Sequence, residues 1–298
     1  MRVLVTGARG QLGLELVDAF AGHDVVATDQ GELDVADRDQ VLAAASALCP
    51  DVIVHSAAWT DVDGCETDPD RAMRVNALGT RHVVAGARLA GARVCYLSTD
   101  YVFDGAAGRP YTEWDAANPL SVYGRSKLGG EAELGPDDTI VRTSWLCGTR
   151  GRNFVRTVLE RAARGEELRV VDDQHGCFTL AADLAGAIRR FVVERLSGRY
   201  HVTNQGPTTW FQLARDAVVL AGHHADLVRP ISTAELRPRR AAPRPPFAVL
   251  DNAALRLAGF PLLPGRHDAL ERLVRDLTVP PDGRGSPAAK RDAEALTS

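Results

Sequence analysis

The stretch "VLVTGARGQLGLEL" (residues 3–16) joins an apolar run to three glycines spaced three residues apart, followed by a helical pattern. The apolar run before Gly7 is rich in valine, which is typical of a buried strand. Gly7, Gly10 and Gly13 permit a tight turn, a close approach of a diphosphate to the backbone, and close packing of helix on strand. The spacing is G-x-x-G-x-x-G rather than G-x-G-x-x-G, but its place between strand and helix predicts a dinucleotide-binding turn.

Short β-branched segments alternate with amphipathic segments through the first half of the chain. Strands are predicted at 2–6, 24–28, 51–55, 93–98 and 139–144, with apolar residues at three- and four-residue steps between them. Crossover helices are the usual connection between parallel strands. We therefore predict an α/β fold with a doubly wound parallel (Rossmann) sheet and a smaller C-terminal α/β substrate domain.

The predicted domain boundaries follow from where this alternation becomes irregular. Residues 1–150 are expected to form the dinucleotide-binding domain, completed by parts of 168–197, and residues 151–277 to form mainly the substrate domain. The proline-dense segment "RPRRAAPRPP" (237–246) excludes regular structure. Residues 278–298 have almost no apolar content and are predicted to be a disordered tail.

Charge and cysteine usage limit the classes of function. Residues 1–150 carry 13 basic and 22 acidic side chains and residues 151–298 carry 22 and 17, so a basic second half favours an anionic ligand over nucleic acid. Five cysteines without a C-x-x-C pair indicate reduced thiols and no zinc site. The chain opens into a strand rather than a signal peptide, and no apolar run reaches the roughly 18 residues of a membrane span. We expect a cytoplasmic protein without a membrane or nucleic-acid partner.

Two polar groups further along the chain are candidates for chemistry. Thr99 and Asp100 follow a predicted buried strand, at the edge of an open α/β sheet where ligands bind. Tyr123 and Lys127 lie one helical turn apart, although such pairs are also common on exposed helix faces and strand-end polar residues are often only caps. An ammonium beside a phenol stabilises the phenolate and makes the phenol a usable acid, while the Thr99 hydroxyl can polarise a carbonyl. Together they predict reduction of a ketone by hydride.

Asp29 ends the second predicted strand, about 20 residues after the glycines, where a carboxylate accepts hydrogen bonds from an adenosine ribose. The alternative is a solvated turn residue. A free 2′-hydroxyl suits this carboxylate, whereas a 2′-phosphate needs a cation, which Arg9 within the glycine turn can supply. We therefore expect the chain to use both NADH and NADPH.

The glycine turn, "LSTDYVFDG" (97–105) and "YGRSKLGGE" (123–131) together resemble the extended short-chain dehydrogenase/reductase superfamily, and most closely its dTDP-4-dehydrorhamnose reductase family. Further segments resemble that family in the same order along the chain, with coverage to about residue 277. They are "HSAAWTDVDGCE" (55–66), "RVNALGT" (74–80), "RTSWLCG" (142–148), "RNFVRTVL" (152–159) and "VVDDQHGCFTLAADLA" (170–185).

The resemblance implies catalytic roles for Thr99, Tyr123 and Lys127. It implies that NADPH or NADH is bound by Gly7, Gly10, Gln11, Leu12, Gly13, Asp29, Asp34, Val35, Ala57, Ala58, Asn76, Tyr123 and Lys127. It implies that a dTDP-sugar is bound by Thr99, Asp100, Val102, Phe103, Tyr123, Trp145, Asn153 and Phe154. The implied reaction reduces the 4-keto group of dTDP-6-deoxy-L-lyxo-4-hexulose to dTDP-L-rhamnose, the last step of dTDP-L-rhamnose synthesis.

Two other functions stay open at this stage: a 4-ketoreductase for a different dTDP-deoxysugar, and a non-catalytic protein like the regulatory subunit of methionine adenosyltransferase, which resembles the same family. Cys177, Phe178 and Ala248 depart from the family pattern in the presumed sugar domain, which puts the exact substrate in doubt. His55-Ser56 also departs from it.

The sequence alone supports no metal site. The acidic segment at 60–70 lacks calcium-loop spacing and is better explained as a favourable charge at a helix N-terminus. The resemblance allows a homodimer, with magnesium near Glu15, although a solvated helix residue is the simpler explanation of Glu15. The arginines of 237–246 can clamp a diphosphate or stay solvated.

The tail prediction is tested by truncation. Deleting the residues beyond about Pro280 should leave both the melting temperature and the activity essentially unchanged, because a disordered tail makes no contacts that stabilise the fold. Thermal unfolding of the two chains measures the difference, and a clear drop in melting temperature would show that the tail docks.

Overall fold

The computed structural model describes residues 1–278, so the predicted tail lies outside the described residues apart from Thr278. Within this range the strands are β1 (Arg2–Thr6), β2 (Asp24–Thr28), β3 (Val52–His55), β4 (Arg93–Thr99), β5 (Thr139–Thr143), β6 (Leu146–Cys147), β7 (Leu168–Val171), β8 (His175–Gly176), β9 (Thr179–Leu180), β10 (Gly198–His201), β11 (Thr208–Thr209) and β12 (Val228–Ile231).

The helices are α1 (Gln11–Ala19), α2 (Arg38–Leu48), α3 (Val62–Thr67), α4 (Pro69–Ala72), α5 (Gly79–Ala90), α6 (Val122–Glu131), α7 (Phe154–Ala163), α8 (Ala181–Val193), α9 (Trp210–Leu220), α10 (Ala253–Leu257) and α11 (Arg266–Thr278). None of the helices in residues 1–278 is both long and apolar enough to cross a membrane.

Six strands form a parallel sheet in the order β10-β5-β4-β3-β1-β2, which confirms the predicted doubly wound α/β fold. The chain runs from β1 to β2 at one side and then returns to place β3 on the other side of β1. Ligands bind in open α/β sheets at such a reversal, beyond the carboxyl ends of the strands. The ends of β1 and β3 therefore frame the expected crevice, with the end of β4 next to them.

Alternation along the strands distributes the core over both faces of the sheet. Val3 and Val5 of β1 pack in a cluster with residues of α1 and α8, whereas Leu4 packs in a second cluster with residues of α2 and α5. Successive side chains of a strand point to opposite faces, so valine- and leucine-rich strands bury both faces only when helices cover each of them. This two-sided burial explains the continuous apolar runs in the sequence.

Residues 144–278 add short strand pairs and a second helical core. β7 pairs with β12, β6 with β9, and β8 antiparallel with β11. Helices α7, α9 and α11 meet in one apolar cluster that includes Val155, Leu213 and Leu270. Two elements from this half return to the first, since β10 forms an edge of the six-stranded sheet and α8 packs against α1.

Residues 71–90 have apolar residues at three- and four-residue steps, which is typical of one continuous helix, but the structure divides this segment. It comprises α4, a π-helical segment (Met73–Leu78) and α5. Asp68 and Pro69 begin α4, with the Asp68 carboxylate accepting from the Arg71 N–H at 3.0 Å. A π segment widens the helix locally, which sequence periodicity does not reveal.

A buried ion pair connects helix α6 to the sheet. The Arg142 guanidinium on β5 donates to both carboxylate oxygens of Glu131 at 2.8 and 2.6 Å, and both side chains are almost fully buried. The Ser98 hydroxyl on β4 donates to the same carboxylate at 2.5 Å. These bonds fix the end of α6 relative to β4 and β5.

Replacing Glu131 by Gln should lower the free energy of unfolding by about 3–5 kcal/mol, because it leaves a buried guanidinium without a compensating charge. Urea denaturation measures the loss. The matched control is Glu194→Gln, which removes the partner of Arg190 in a half-exposed pair at the C-terminal end of α8 and should cost less than about 1 kcal/mol. Equal losses in the two variants would contradict the cross-linking role of Glu131.

Candidate active site

One cavity of about 600 Å³ opens beyond the carboxyl ends of β1 and β4 and joins the glycine turn to the Tyr123 region. Most residues that the sequence singled out line it, namely Gly7, Gly10, Gln11, Leu12, Gly13, Asp29, Asp34, Val35, Ala57, Ala58, Thr99, Asp100, Tyr123, Lys127 and Trp145. The two groups of predicted residues, separated by about a hundred positions in the chain, therefore share one cleft. The parallel sheet brings them together, because both groups follow strand ends at the same edge.

The glycine turn has no room for side chains. Gly7 has φ +69°, and a Cβ there would lie 2.7 Å from the backbone of Ala57. A Cβ on Gly13 would lie 2.1 Å from the carbonyl oxygen of Gly7. The backbone N–H groups at the start of α1 are therefore accessible to an anion, and the positive end of the helix dipole favours one. This cradle fits the diphosphate of a dinucleotide.

Three charged residues form a cluster beside this turn. Asp29 lines the cleft and accepts a hydrogen bond from the Arg9 N–H at 2.9 Å. The Glu32 carboxylate accepts from the Asp29 N–H at 3.0 Å and also pairs with the Arg9 guanidinium. The one arginine of the turn is therefore already held by an acid, and the cluster carries a net charge of about −1.

Thr99, Tyr123 and Lys127 meet on the opposite wall of the cleft. Thr99 ends β4, while Ser121 caps α6 by accepting from the Gly124 N–H at 3.1 Å and so places Tyr123 and Lys127 in its first two turns. The Tyr123 ring contacts the Tyr101 ring edge-on, with centroids 5.5 Å apart. The Lys127 ammonium lies 4.1 Å from the centre of the Tyr96 ring. Within residues 1–278 it donates no hydrogen bond to another side chain.

Burial shifts the pKa values of both Lys127 and Tyr123. Burial lowers the pKa of Lys127 to about 7, although the Glu131 carboxylate one turn along α6 opposes the shift. Burial also raises the pKa of the Tyr123 phenol well above its usual value, and the negative charge of Asp100 raises it further. Low polarity disfavours the charged form of each group. A ligand that stabilises the phenolate would lower the pKa of Tyr123 toward its ordinary value, and a ligand that stabilises the ammonium would raise the pKa of Lys127 toward its own.

Asp100 is the third ionisable group on this wall. Its carboxylate is 2% exposed and accepts hydrogen bonds from the Thr99 hydroxyl at 2.9 Å and the Ser144 hydroxyl at 2.8 Å. Burial raises its pKa to about 6, while these two hydroxyls oppose the shift.

Two stacked tryptophans line the cleft on the side of residues 144–278. The rings of Trp145 and Trp210 lie 3.7 Å apart at 13° to each other, and Phe154 packs against Trp210 at 4.6 Å. Trp145 has φ +43°, and Gly176 provides the space for its ring, since a Cβ at Gly176 would lie 2.6 Å from it. Flat aromatic walls of this kind suit a sugar or a base.

Five residues that the resemblance implied do not line the cavity. Val102 and Phe103 have no exposed surface, because Phe103 stacks on Tyr111 within a buried cluster, so they support the wall rather than form it. The other three contact residues around the cavity instead of lining it. Asn76 bonds the Trp59 backbone and the Ser126 hydroxyl. Asn153 caps α7, and Phe154 packs behind Trp210.

Several residues that line the cleft are not predicted from the sequence. Trp59 and Arg71 line the cavity together, with the Arg71 guanidinium 4.4 Å from the centre of the Trp59 ring. Trp59 lies within a quoted motif and could have been proposed on that basis. Trp210 and Arg71 belong to ordinary amphipathic patterns, which carry no sign of a cleft.

Two of the charged groups proposed for metal or diphosphate binding, Glu15 and Arg244, are each engaged by another side chain. Glu15 accepts from the Arg150 guanidinium at 3.1 Å, so the position where the resemblance allows magnesium already has a cation of the protein itself. Across residues 1–278 no three His, Cys, Asp or Glu side chains are grouped to hold a metal ion. Asp61 caps α3, in agreement with the helix-charge explanation of the acidic segment. Asp63 binds the Arg244 guanidinium at 2.5 and 2.7 Å.

Comparison with known proteins identifies the family. Residues 1–279 match the family model described as the RmlD substrate binding domain. The chain is 43% identical over 277 residues to a dTDP-4-dehydrorhamnose reductase of Streptomyces griseus, covering 89% of this chain and 90% of that protein. It is 42% identical to a dTDP-4-keto-6-deoxy-D-glucose reductase of Streptomyces niveus, covering 89% and 93% of the two chains.

A solved structure agrees in fold. The dTDP-4-dehydrorhamnose reductase of Bacillus anthracis, determined in complex with NADP, superimposes with a TM-score of 0.87 at 38% identity and covers 91% of this chain and 98% of its own. The chain belongs to the dTDP-4-dehydrorhamnose reductase family.

Proposed function

We propose that the chain is an NAD(P)H-dependent reductase that converts dTDP-6-deoxy-L-lyxo-4-hexulose to dTDP-L-rhamnose by reducing its 4-keto group. The observation that carries the proposal is the single cleft in which a dinucleotide cradle meets Thr99, Tyr123 and Lys127. The identity to dTDP-4-dehydrorhamnose reductases over most of both chains supports the substrate class.

The cofactor would be held by the residues of the glycine turn and the adjoining strand ends. The backbone of Gly10–Gly13 would bind the diphosphate, Asp29 the adenosine ribose, and Lys127 the second ribose. When bound, NADPH or NADH supplies the hydride for the carbonyl carbon. The Arg9 backbone N–H and the Glu32 carboxylate both bond to Asp29, and the Arg9 guanidinium pairs with Glu32 beside it.

The protein's own part in catalysis is control of a proton at the substrate oxygen. Tyr123 is proposed to give its phenolic proton to that oxygen as negative charge develops on it, and the Thr99 hydroxyl to donate a hydrogen bond to the same atom. The Lys127 ammonium would stabilise the resulting phenolate. Burial of all three excludes water from the reacting groups.

The sugar nucleotide is proposed to lie against Trp145 and Trp210, which places its recognition mainly in residues 151–277 and the loop before them. Residues 1–150, with parts of 168–197, would bind the cofactor; β10 and α8 join the first half structurally. A homodimer and a cytoplasmic location stay predictions from the sequence.

A second candidate is a 4-ketoreductase that forms a different dTDP-deoxysugar. The 42% identity to a dTDP-4-keto-6-deoxy-D-glucose reductase, close to the value for the rhamnose enzyme, is the observation that favours it. The regulatory-protein alternative gains no support from the cleft, since Thr99, Tyr123 and Lys127 are all present and grouped.

Product analysis distinguishes these functions. The chain should be incubated with dTDP-glucose, the upstream dehydratase and epimerase, and NADPH, and the sugar formed should be identified by NMR. Formation of dTDP-L-rhamnose supports the main proposal. Reduction only when the epimerase is omitted would favour the second candidate, and no reduction in either case would contradict a reductase.

Under the condition that gives product, Tyr123→Phe should lower kcat by roughly two to four orders of magnitude, because it removes only the proton donor. Its affinity for the cofactor, measured by fluorescence titration, should survive.

Cofactor choice gives a separate prediction. The wild-type kcat/KM with NADH should lie within about tenfold of that with NADPH, because the cluster beside the ribose has one arginine and two acids. Glu32→Gln should raise the NADPH-to-NADH ratio of kcat/KM by up to about fivefold, since it releases Arg9 toward a 2′-phosphate and an exposed pair is worth about 1 kcal/mol or less. Asp29→Ala should shift the ratio in the same direction.

The control for cofactor choice is Glu194→Gln, which removes a similar carboxylate at the C-terminal end of α8, outside the cleft lining. It should leave the ratio unchanged. A wild type that prefers NADPH a hundredfold, together with an unchanged ratio in Asp29→Ala, would show that Asp29 does not face the ribose.

A further inference from the structure

The hydrogen bonds around Thr99 conflict with its proposed role as a donor to the substrate. A hydroxyl has one proton, and the Thr99 hydroxyl directs it to Asp100 Oδ1 at 2.9 Å. The same oxygen accepts from the Tyr101 N–H at 3.2 Å. While Asp100 is ionised it can only accept, so the Thr99 proton stays committed to it. In that state Thr99 has no proton left for the substrate oxygen, nor for the neighbouring Tyr123 phenol, whose pKa a hydrogen bond from Thr99 lowers.

We infer that Asp100 is a positioning residue that sets the direction of the Thr99 hydroxyl, and that the reaction requires Asp100 in its uncharged form. A protonated carboxyl can donate to Thr99 Oγ1, and Thr99 can then donate its own proton into the cleft. The inference rests on the proposed function, because it concerns how Thr99 reaches the substrate oxygen.

The surroundings of Asp100 make the uncharged form accessible near neutral pH. Burial raises its pKa to about 6. No described Lys, Arg or His forms an ion pair with it, and the nearby Arg244 is held by Asp63. The titratable and charged groups that face Asp100 from the surrounding elements are Tyr101, Tyr123, His175, Cys177 and Arg244.

Neutralising Asp100 also helps Tyr123. The negative carboxylate raises the pKa of the phenol, because like charges so close disfavour the phenolate. Protonation of Asp100 removes that repulsion. The same event therefore frees the Thr99 proton and makes Tyr123 a better acid, so both donors become available together.

The pH dependence of kcat/KM tests this inference. In wild type, kcat/KM should fall as pH rises through the Asp100 pKa, since the uncharged form is lost. Ser144→Ala removes a hydrogen bond that stabilises the carboxylate, so the pKa rises and this fall should move up by about one pH unit. Asp100→Asn, which cannot ionise, should lose the fall near pH 6 and keep only the later one from deprotonation of Lys127.

The control is Ser232→Ala, which removes a hydroxyl that donates to the Glu235 carboxylate on the surface at 2.8 Å. It should leave the profile unchanged. A wild-type profile that is flat between pH 5 and 7, a shift to lower pH in Ser144→Ala, or a folded Asp100→Asn that is inactive throughout would each overturn the inference. Ser144→Ala decides the matter if Asp100→Asn does not fold. Absence of any reduction by wild type would instead contradict the proposed function.

Discussion

The buried pair of Arg142 and Glu131 is the interaction on which the cleft depends. It ties α6, which carries Tyr123 and Lys127, to β5, and the Ser98 hydroxyl extends the bond to β4 one residue before Thr99. Two charges removed from water are stable only when each is well paired, so the geometry of this contact tolerates little change. The helix and the two strands are therefore held in one arrangement. That arrangement places Thr99, at the end of β4, and Tyr123 and Lys127, on α6, on the same wall of the cleft.

Low polarity is the second consequence of this packing. The same wall holds a lysine, a tyrosine and an aspartic acid whose ionised forms are all disfavoured by burial. His55, behind it, is kept neutral with a pKa near 3 and bonds Thr6 at 2.8 Å, so it contributes no charge at neutral pH. In a site of this kind the pKa of each group is shifted toward its uncharged form, and a ligand that supplies compensating charge opposes that shift. It favours proton transfer between neighbours over exchange with water.

The positions that depart from the family pattern are distributed unevenly. Cys177 and Phe178 are buried in the core, where they affect packing rather than the cleft surface. Ala248 contributes to a small cavity shared with Asp100, Trp145 and Arg244, next to the main cleft. Of these three departures, Ala248 is the one placed to influence which sugar is accepted. This agrees with relatives of similar identity that are named for different dTDP-sugars.

The sequence by itself predicted the sheet, the glycine turn and the Tyr123–Lys127 pair, because these depend on local periodicity, turn chemistry and a four-residue spacing; Thr99, 24 residues before Tyr123, joins them only through the sheet. It could not show that Phe103 faces the core or that Trp210 faces the cleft, since an aromatic residue fits either environment. Nor could it show that Glu32 holds Arg9, or that the Thr99 proton points to Asp100. Those facts depend on which surfaces meet after folding and on the direction of single hydrogen bonds. Only the tertiary structure decides them, because the partners come from different elements or from a backbone turn that periodicity does not encode.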